Sequence, residues 1–216
     1  MDCWTTLEIA TMNITSWTHN EDFDKYGFLP VKQICDPESL YSDVPSKRGQ
    51  YNYHNNDPNE FKYIPTEAQV EGSTSRYWFP QYRGIHTNIR SKLENILGRK
   101  LYNTYYYDRF YFPGQQLVKH TDRDACEISI TVNCSTNLKG KDAEWPIWIE
   151  TPEGVAESTV LHPGDGMIYK GCERPHWRDP MPTPKQWFGK TEYYYHQIFF
   201  HYVLADGHRA HCAGDR

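Results

Sequence analysis

The amino-acid sequence predicts a mainly β protein with a jelly-roll (double-stranded β-helix) core and supporting helices drawn from the N-terminal half. Three observations carry that expectation. Aromatic residues, 17 Tyr and 7 Trp among them, supply much of the 38% hydrophobic content. Such side chains favour strands over a helical bundle. Hydrophobic spacing changes from a helical to a strand-like pattern near Leu101, and turn signals then recur at short intervals, as a sandwich or barrel requires.

Residues up to about Arg76 are polar and turn-rich, with Pro45-Ser46-Lys47-Arg48-Gly49 and Asn55-Asn56-Asp57-Pro58 as loop signals, and are expected to be irregular with a short helix or two. Between Tyr82 and Gly98, the apolar Ile85, Ile89, Leu93, Ile96 and Leu97 share one helical face, opposite Arg90, Lys92, Glu94 and Asn95. That pattern is an amphipathic helix closed by a glycine cap. Strands are expected at Tyr102 to Phe112, Cys126 to Cys134, Trp145 to Glu150 and Tyr193 to Leu204, with another at Met167-Ile168-Tyr169. The turns between them include Pro113-Gly114, Pro152-Glu153-Gly154 and Pro163-Gly164-Asp165-Gly166, the last expected to open a strand running to His176.

A length of 216 residues suits one domain, with about 1–100 as helical and irregular support and about 101–210 as the core. The net charge of −5, with Lys and Arg scattered, gives no basic stripe and makes nucleic acid an unfavoured partner. No signal peptide or membrane span is read, so a cytoplasmic setting is expected. Six cysteines without a CxxC pair argue against a structural zinc site or a dense disulfide scaffold, although their even number leaves disulfides open.

The chemistry concentrates around His120-Thr121-Asp122. In a strand or its extended exit, residues two apart face the same way, so one imidazole and one carboxylate share a side while Thr121 faces out. His176, beyond Met167-Ile168-Tyr169, supplies a third donor. Two His and one carboxylate on one side of an ion leave adjacent positions open, which suits non-haem Fe(II) binding a chelating cosubstrate together with O2.

With these residues in order, the sequence resembles the 2-oxoglutarate/Fe(II)-dependent oxygenase superfamily, in its prolyl-4-hydroxylase-like branch. The matching blocks are Tyr111-x-x-Gly114-Gln115 before His120-x-Asp122, Leu161 to Glu173, His176-Trp177-Arg178, and Gln197 to Val203. The resemblance implies His120, Asp122 and His176 as iron ligands and Fe(II), 2-oxoglutarate and O2 as reactants, with ascorbate as an accessory reductant. It further implies hydroxylation of an unactivated carbon, with release of succinate and CO2. A peptide, prolyl residues included, or a small molecule is the substrate class it favours. Halogenating relatives carry a small residue at the position of Asp122, so the carboxylate points to hydroxylation.

The resemblance also implies a basic anchor for the distal carboxylate of 2-oxoglutarate, and here the chain departs from the family spacing. Arg178, two residues beyond His176 and therefore on the same side, is the preferred anchor, its planar fork suiting a carboxylate. The alternative for Arg178 is a rim pairing with Asp165 or Asp179. Lys190 and Lys185 are further candidates, and Tyr111 matches the position of a phenol presented to the cosubstrate. Arg123 is a candidate partner of Asp122 or of substrate, His196 and His201 are expected as core histidines, and Trp145, Trp148 and Trp177 as pocket walls or packing. Two other readings stand beside the oxygenase: a cupin-like metalloenzyme that does not use 2-oxoglutarate, and a non-catalytic β-sandwich binding module.

Overall fold

The computed structural model describes residues 20–185 and 191–215. The chain enters through helix α1 (Glu21–Tyr26), capped by Asn20, whose Oδ1 accepts from the amides of Asp22 and Phe23. Gly27 ends the helix at φ 77°, a conformation that disfavours a Cβ. Strand β1 (Phe28–Val31), helix α2 (Pro37–Leu40) and strands β2 (Gly49–Tyr53), β3 (Phe61–Ile64) and β4 (Thr74–Tyr77) follow. The stretch expected to be irregular therefore holds four strands as well as two short helices. Each is only four or five residues long, too short to show alternation, and Pro30 sits in β1, which is tolerated because that strand lies at a sheet edge.

Helix α3 (Arg83–Leu97) ends at Gly98 with φ 63°, as its spacing predicts. Its buried Ile89, Leu93, Ile96 and Leu97 join Ile130, Ile198, Phe200 and Tyr202 in one apolar cluster. Full burial of each aliphatic side chain contributes about 1.5–3 kcal/mol, which fixes the helix against the sheet.

The core comprises β5 (Leu101–Tyr111), β6 (Leu117–His120), β7 (Ile128–Thr136), β8 (Ile147–Glu150), β9 (Ala156–Thr159), β10 (Gly166–Tyr169), β11 (His176–Arg178) and β12 (Tyr195–Leu204). These strands divide between two sheets. The larger has the order β1-β10-β7-β12-β5-β4-β2-β3 and the smaller β6-β11-β8-β9. All ladders are antiparallel except β2 with β4. Leu117 and Trp145 from the smaller-sheet side pack with Tyr111, Tyr195 and Phe199 of the larger one, and Ile147 and Ile149 pack with Met167 and Tyr169. The two sheets thus close face to face as a jelly roll.

One expected strand is divided. The segment after Pro163-Gly164-Asp165-Gly166 does not run continuously to His176: β10 ends at Tyr169 in the larger sheet and β11 begins at His176 in the smaller. Between them the chain turns, with the amides of Glu173 and Arg174 donating to the Lys170 carbonyl. Pro175, lacking an N–H, ends that turn. The break carries the third histidine from one sheet to the other, beside His120.

Candidate metal centre

His120 is the last residue of β6, and His176 the first of β11, and the two stand directly opposite each other in the ladder. Their rings lie 4.4 Å apart. Asp122 is just beyond β6, where its amide donates to the Gly171 carbonyl at 2.9 Å. Thr121 is exposed, so the alternation expected from the sequence holds. Asp122 Oδ1 lies 3.4 Å from His120 Nε2 and 3.6 Å from His176 Nε2. Donors about 2.1 Å from one ion and at right angles are about 3 Å apart, so a small contraction would let all three share a cation.

Neighbouring carbonyls set the tautomers. His120 Nδ1 is 2.8 Å from the Val118 carbonyl and His176 Nδ1 is 3.0 Å from the Arg174 carbonyl. With Nδ1–H donating, each Nε2 presents its lone pair to the common point, the arrangement metal-binding histidines use. Ser129 Oγ donates to Asp122 Oδ2 at 3.4 Å. Burial opposes ionisation of Asp122, but the His120 hydrogen bond and the nearby histidines hold its carboxyl below the usual range. Burial likewise opposes charge on His120, yet Asp122 and the Val118 carbonyl raise its pKa, whereas burial lowers that of His176. The donor set therefore fits a divalent cation that takes imidazole and carboxylate together.

Arg178 is turned inward and is only 2% exposed, away from the rim. Its Nη1 donates to the Trp145 carbonyl and its Nη2 to Gln197 Oε1, each at 2.6 Å. The guanidinium lies over the rings of Trp145 and Tyr195. Asp165 is engaged instead by Lys32, at 2.8 Å, and Asp179 is exposed. Tyr111 is fully buried and meets edge-on the same Trp145 ring that the Arg178 guanidinium covers. Lys185 is exposed in a segment without regular structure, and Lys190 lies outside the described residues.

Arg123 does not orient Asp122. It pairs with Asp215 at 2.5 Å and lies over the Tyr105 ring. Trp145 is buried against Tyr111, Tyr195 and Arg178, whereas the half-buried Trp148 and Trp177 stack on each other and Lys119 lies over Trp177. His196 is a core histidine bonded to Asp108, which also pairs with Arg76. His201 is also buried: its Nδ1 is 2.8 Å from Ser129 Oγ, its Nε2 has no hydrogen-bond partner among the described residues, and burial pushes its pKa down to about 4. Asp122, Cys126 and His201 form a second cluster of donor atoms behind the first. Cys126 and the other described cysteines are free thiols.

Sequence reasoning missed a buried network. Arg109 Nη2 donates to Gln69 Oε1 at 2.9 Å and to Glu67 Oε1 at 3.2 Å, while Nη1 donates to the Tyr111 hydroxyl at 3.2 Å. Gln69 Nε2 in turn lies 3.3 Å from His120 Nε2. Arg109 was within reach of a parity argument, since it alternates with Tyr107 and Tyr111 along β5. Gln69 carries no sequence signal at all, being an ordinary polar residue in an irregular segment.

No protein-family model matches this chain, and no curated protein matches it. Solved structures do. A prolyl-4-hydroxylase from Pseudomonas putida aligns with TM-score 0.56 and 14% identity over 84% of this chain and 95% of its own. A prolyl hydroxylase from Trichoplax adhaerens, in complex with a hypoxia inducible factor oxygen degradation domain peptide fragment, gives 0.53 and 11% over 84% and 86%. HygX from Streptomyces hygroscopicus, with nickel and 2-oxoglutarate bound, gives 0.51 and 8% over 84% and 85%. The chain has the fold of the 2-oxoglutarate/Fe(II) oxygenases, and at these identities the likeness concerns the fold alone.

Proposed function

We propose that the protein is a 2-oxoglutarate- and Fe(II)-dependent dioxygenase that hydroxylates an unactivated carbon of a peptide, with prolyl residues included, or of a small molecule. The observation that carries this reading is the meeting of His120 Nε2, His176 Nε2 and an Asp122 carboxylate oxygen within 4.8 Å of one another at the mouth of a jelly roll. Bound Fe(II) supplies the O2 chemistry that oxidises 2-oxoglutarate to succinate and CO2 and hydroxylates the substrate.

The chain's own residues do the rest. His120, His176 and Asp122 occupy one side of the ion and leave the opposite side for ligands. Arg178 takes the distal carboxylate of the cosubstrate by exchanging its bond to Gln197 Oε1 for a charge-assisted pair, and Tyr111 closes the same pocket. The aromatic walls of Trp145, Tyr195 and Phe199 exclude water and strengthen that pair. The likeness to a peptide-bound prolyl hydroxylase supports the peptide arm of the reading. Succinate formation from 2-oxoglutarate and Fe(II), screened against proline-containing peptides and pooled amino acids, tests it. The expected result is substrate-stimulated succinate that disappears in Asp122→Ala. Metal binding without any response to 2-oxoglutarate would instead favour a cupin-like enzyme.

A further inference from the structure

Behind the two histidines, Asp122 meets a second group of donor atoms. A carboxylate oxygen of Asp122, Cys126 Sγ and a ring nitrogen of His201 lie within 4.8 Å of one another. Local backbone brings them together. Cys126 closes the 3-10 turn Asp124–Cys126 that follows the Asp122 loop, and its amide donates to the Arg123 carbonyl at 2.8 Å. His201 stands opposite Ser129 in the ladder of β12 with β7. Ser129 Oγ reaches both neighbours, 2.8 Å from His201 Nδ1 and 3.4 Å from Asp122 Oδ2.

Two features set this cluster apart from ordinary core packing. His201 is 2% exposed, yet its Nε2 has no hydrogen-bond partner among the described residues, and buried polar atoms are ordinarily paired. Cys126 is a buried free thiol whose Sγ lies 3.2 Å from the Tyr105 hydroxyl, a group able to donate to a thiolate. Thr104, Tyr105 and Arg123 also line a cavity of about 990 Å³, and Thr104 Oγ1 donates to the Ala125 carbonyl at 2.6 Å. The cavity therefore adjoins the cluster and gives an ion a way in.

We propose that Asp122, Cys126 and His201 form a second cation site, selective for a thiophilic ion of the Zn(II) class, that competes with the iron centre for Asp122. The site stands on its own residues, and only the competition rests on the oxygenase reading above. A thiolate, an imidazole and a carboxylate together prefer Zn(II) to Fe(II), whereas the first centre offers no sulfur. Donors about 2.0–2.3 Å from a tetrahedral zinc are about 3.3–3.7 Å apart, so the cluster must contract modestly around its ion. As the Zn–S bond forms, the thiol proton leaves to solvent. One dication, one carboxylate and one thiolate then sum to zero, which suits a buried position. Each centre has to draw its donors inward, and Asp122 cannot move toward both, so the two exclude each other.

Co(II) is the probe, because a thiolate ligand gives it a near-ultraviolet charge-transfer band that nitrogen and oxygen ligands do not. His120→Ala/His176→Ala removes the first centre and isolates the second. This double variant should take up about one Co(II) per chain with the thiolate band, and Zn(II) should bleach it. Adding Cys126→Ala should abolish the band, with Cys126→Ser in its place if the alanine folds poorly. Adding His201→Phe should weaken Co(II) binding by at least about tenfold. With both histidines restored, Cys126→Ala should keep the visible band of the Fe(II)–2-oxoglutarate complex but need at least about tenfold more Zn(II) than wild type to lose it. No Co(II) uptake by the double variant, or a thiolate band that survives loss of Cys126, overturns the site. Equal zinc sensitivity of wild type and Cys126→Ala overturns the competition. Absence of the Fe(II)–2-oxoglutarate band in wild type sinks the oxygenase reading and the competition with it, while the Co(II) measurements still decide the site.

Discussion

His120 and His176 are directly opposed residues of adjacent antiparallel strands, with ring centroids 4.4 Å apart and both Nε2 atoms turned toward the Asp122 carboxylate. Because each Nδ1 is held by a carbonyl two residues earlier in its own strand region, the ligand atoms are pre-oriented by local backbone rather than by distant packing.

Gly171 is where the Asp122 loop is closest to its support. A Cβ there would stand 2.3 Å from the Cys126 carbonyl and 2.5 Å from Asp122 Oδ2. Gly171→Ala must therefore displace the carboxylate. Overpacking of this kind costs about 1–3 kcal/mol, so divalent metal affinity should fall by about ten- to a hundredfold while the far-ultraviolet circular dichroism is retained. Unchanged affinity by calorimetry would show that Asp122 is not a ligand.

Arg178→Gln should raise the KM for 2-oxoglutarate by about ten- to a hundredfold, matching the loss of a charged hydrogen bond worth about 1.5–3 kcal/mol. Metal affinity should stay as in wild type, because Arg178 lies beyond the ligands. Lys185→Gln, an exposed side chain, should leave KM alone. The opposite pattern would move the anchor to Lys185.

Gln69 donates to His120 Nε2, the atom a cation must take. Metal binding has to break this bond, so Gln69→Ala should bind metal more tightly. A hydrogen bond worth about 0.5–1.5 kcal/mol corresponds to a gain of about two- to tenfold. Weaker binding in that variant would mean that Gln69 supports the ligand instead of competing for it.

His86 sits beneath β12, its Nε2 3.1 Å from the His201 carbonyl and its ring against Tyr106, Phe200 and Tyr202. Burial pushes its pKa down to about 3. The unfolded chain takes up this proton below about pH 6.5 and the folded chain does not, so stability falls as pH drops from about 6.5 toward 3. His86→Phe should flatten the dependence of the urea midpoint on pH across that window, by up to about 1.4 kcal/mol per pH unit. An identical slope in wild type and variant would assign the acid sensitivity elsewhere.

Helix α3 and the long strands β5, β7 and β12 were legible because eight or more residues of regular spacing outweigh local noise, and Gly98 and the Pro-Gly turns mark their ends. His120 and Asp122 were legible because two-residue alternation is a property of any extended chain. The pairing of His176 with His120 was not, since it depends on a turn at 170–175 that moves the chain between sheets. Strands β1 to β4 escaped notice because runs of four or five residues are too short to establish an alternation of their own, and β1 is interrupted by Pro30. Gln69 and Arg109 illustrate the same limit at the site: their roles come from tertiary contact, which no spacing rule encodes.

The central claim is that two imidazoles and one carboxylate hold a ferrous ion with room for a chelating cosubstrate. Anaerobic titration of the purified protein with Fe(II) in the presence of 2-oxoglutarate tests it most directly. A weak visible charge-transfer band should grow to saturation near about one Fe(II) per chain and be absent from Asp122→Ala. A wild-type protein that binds no Fe(II) and develops no band under those conditions would contradict the account.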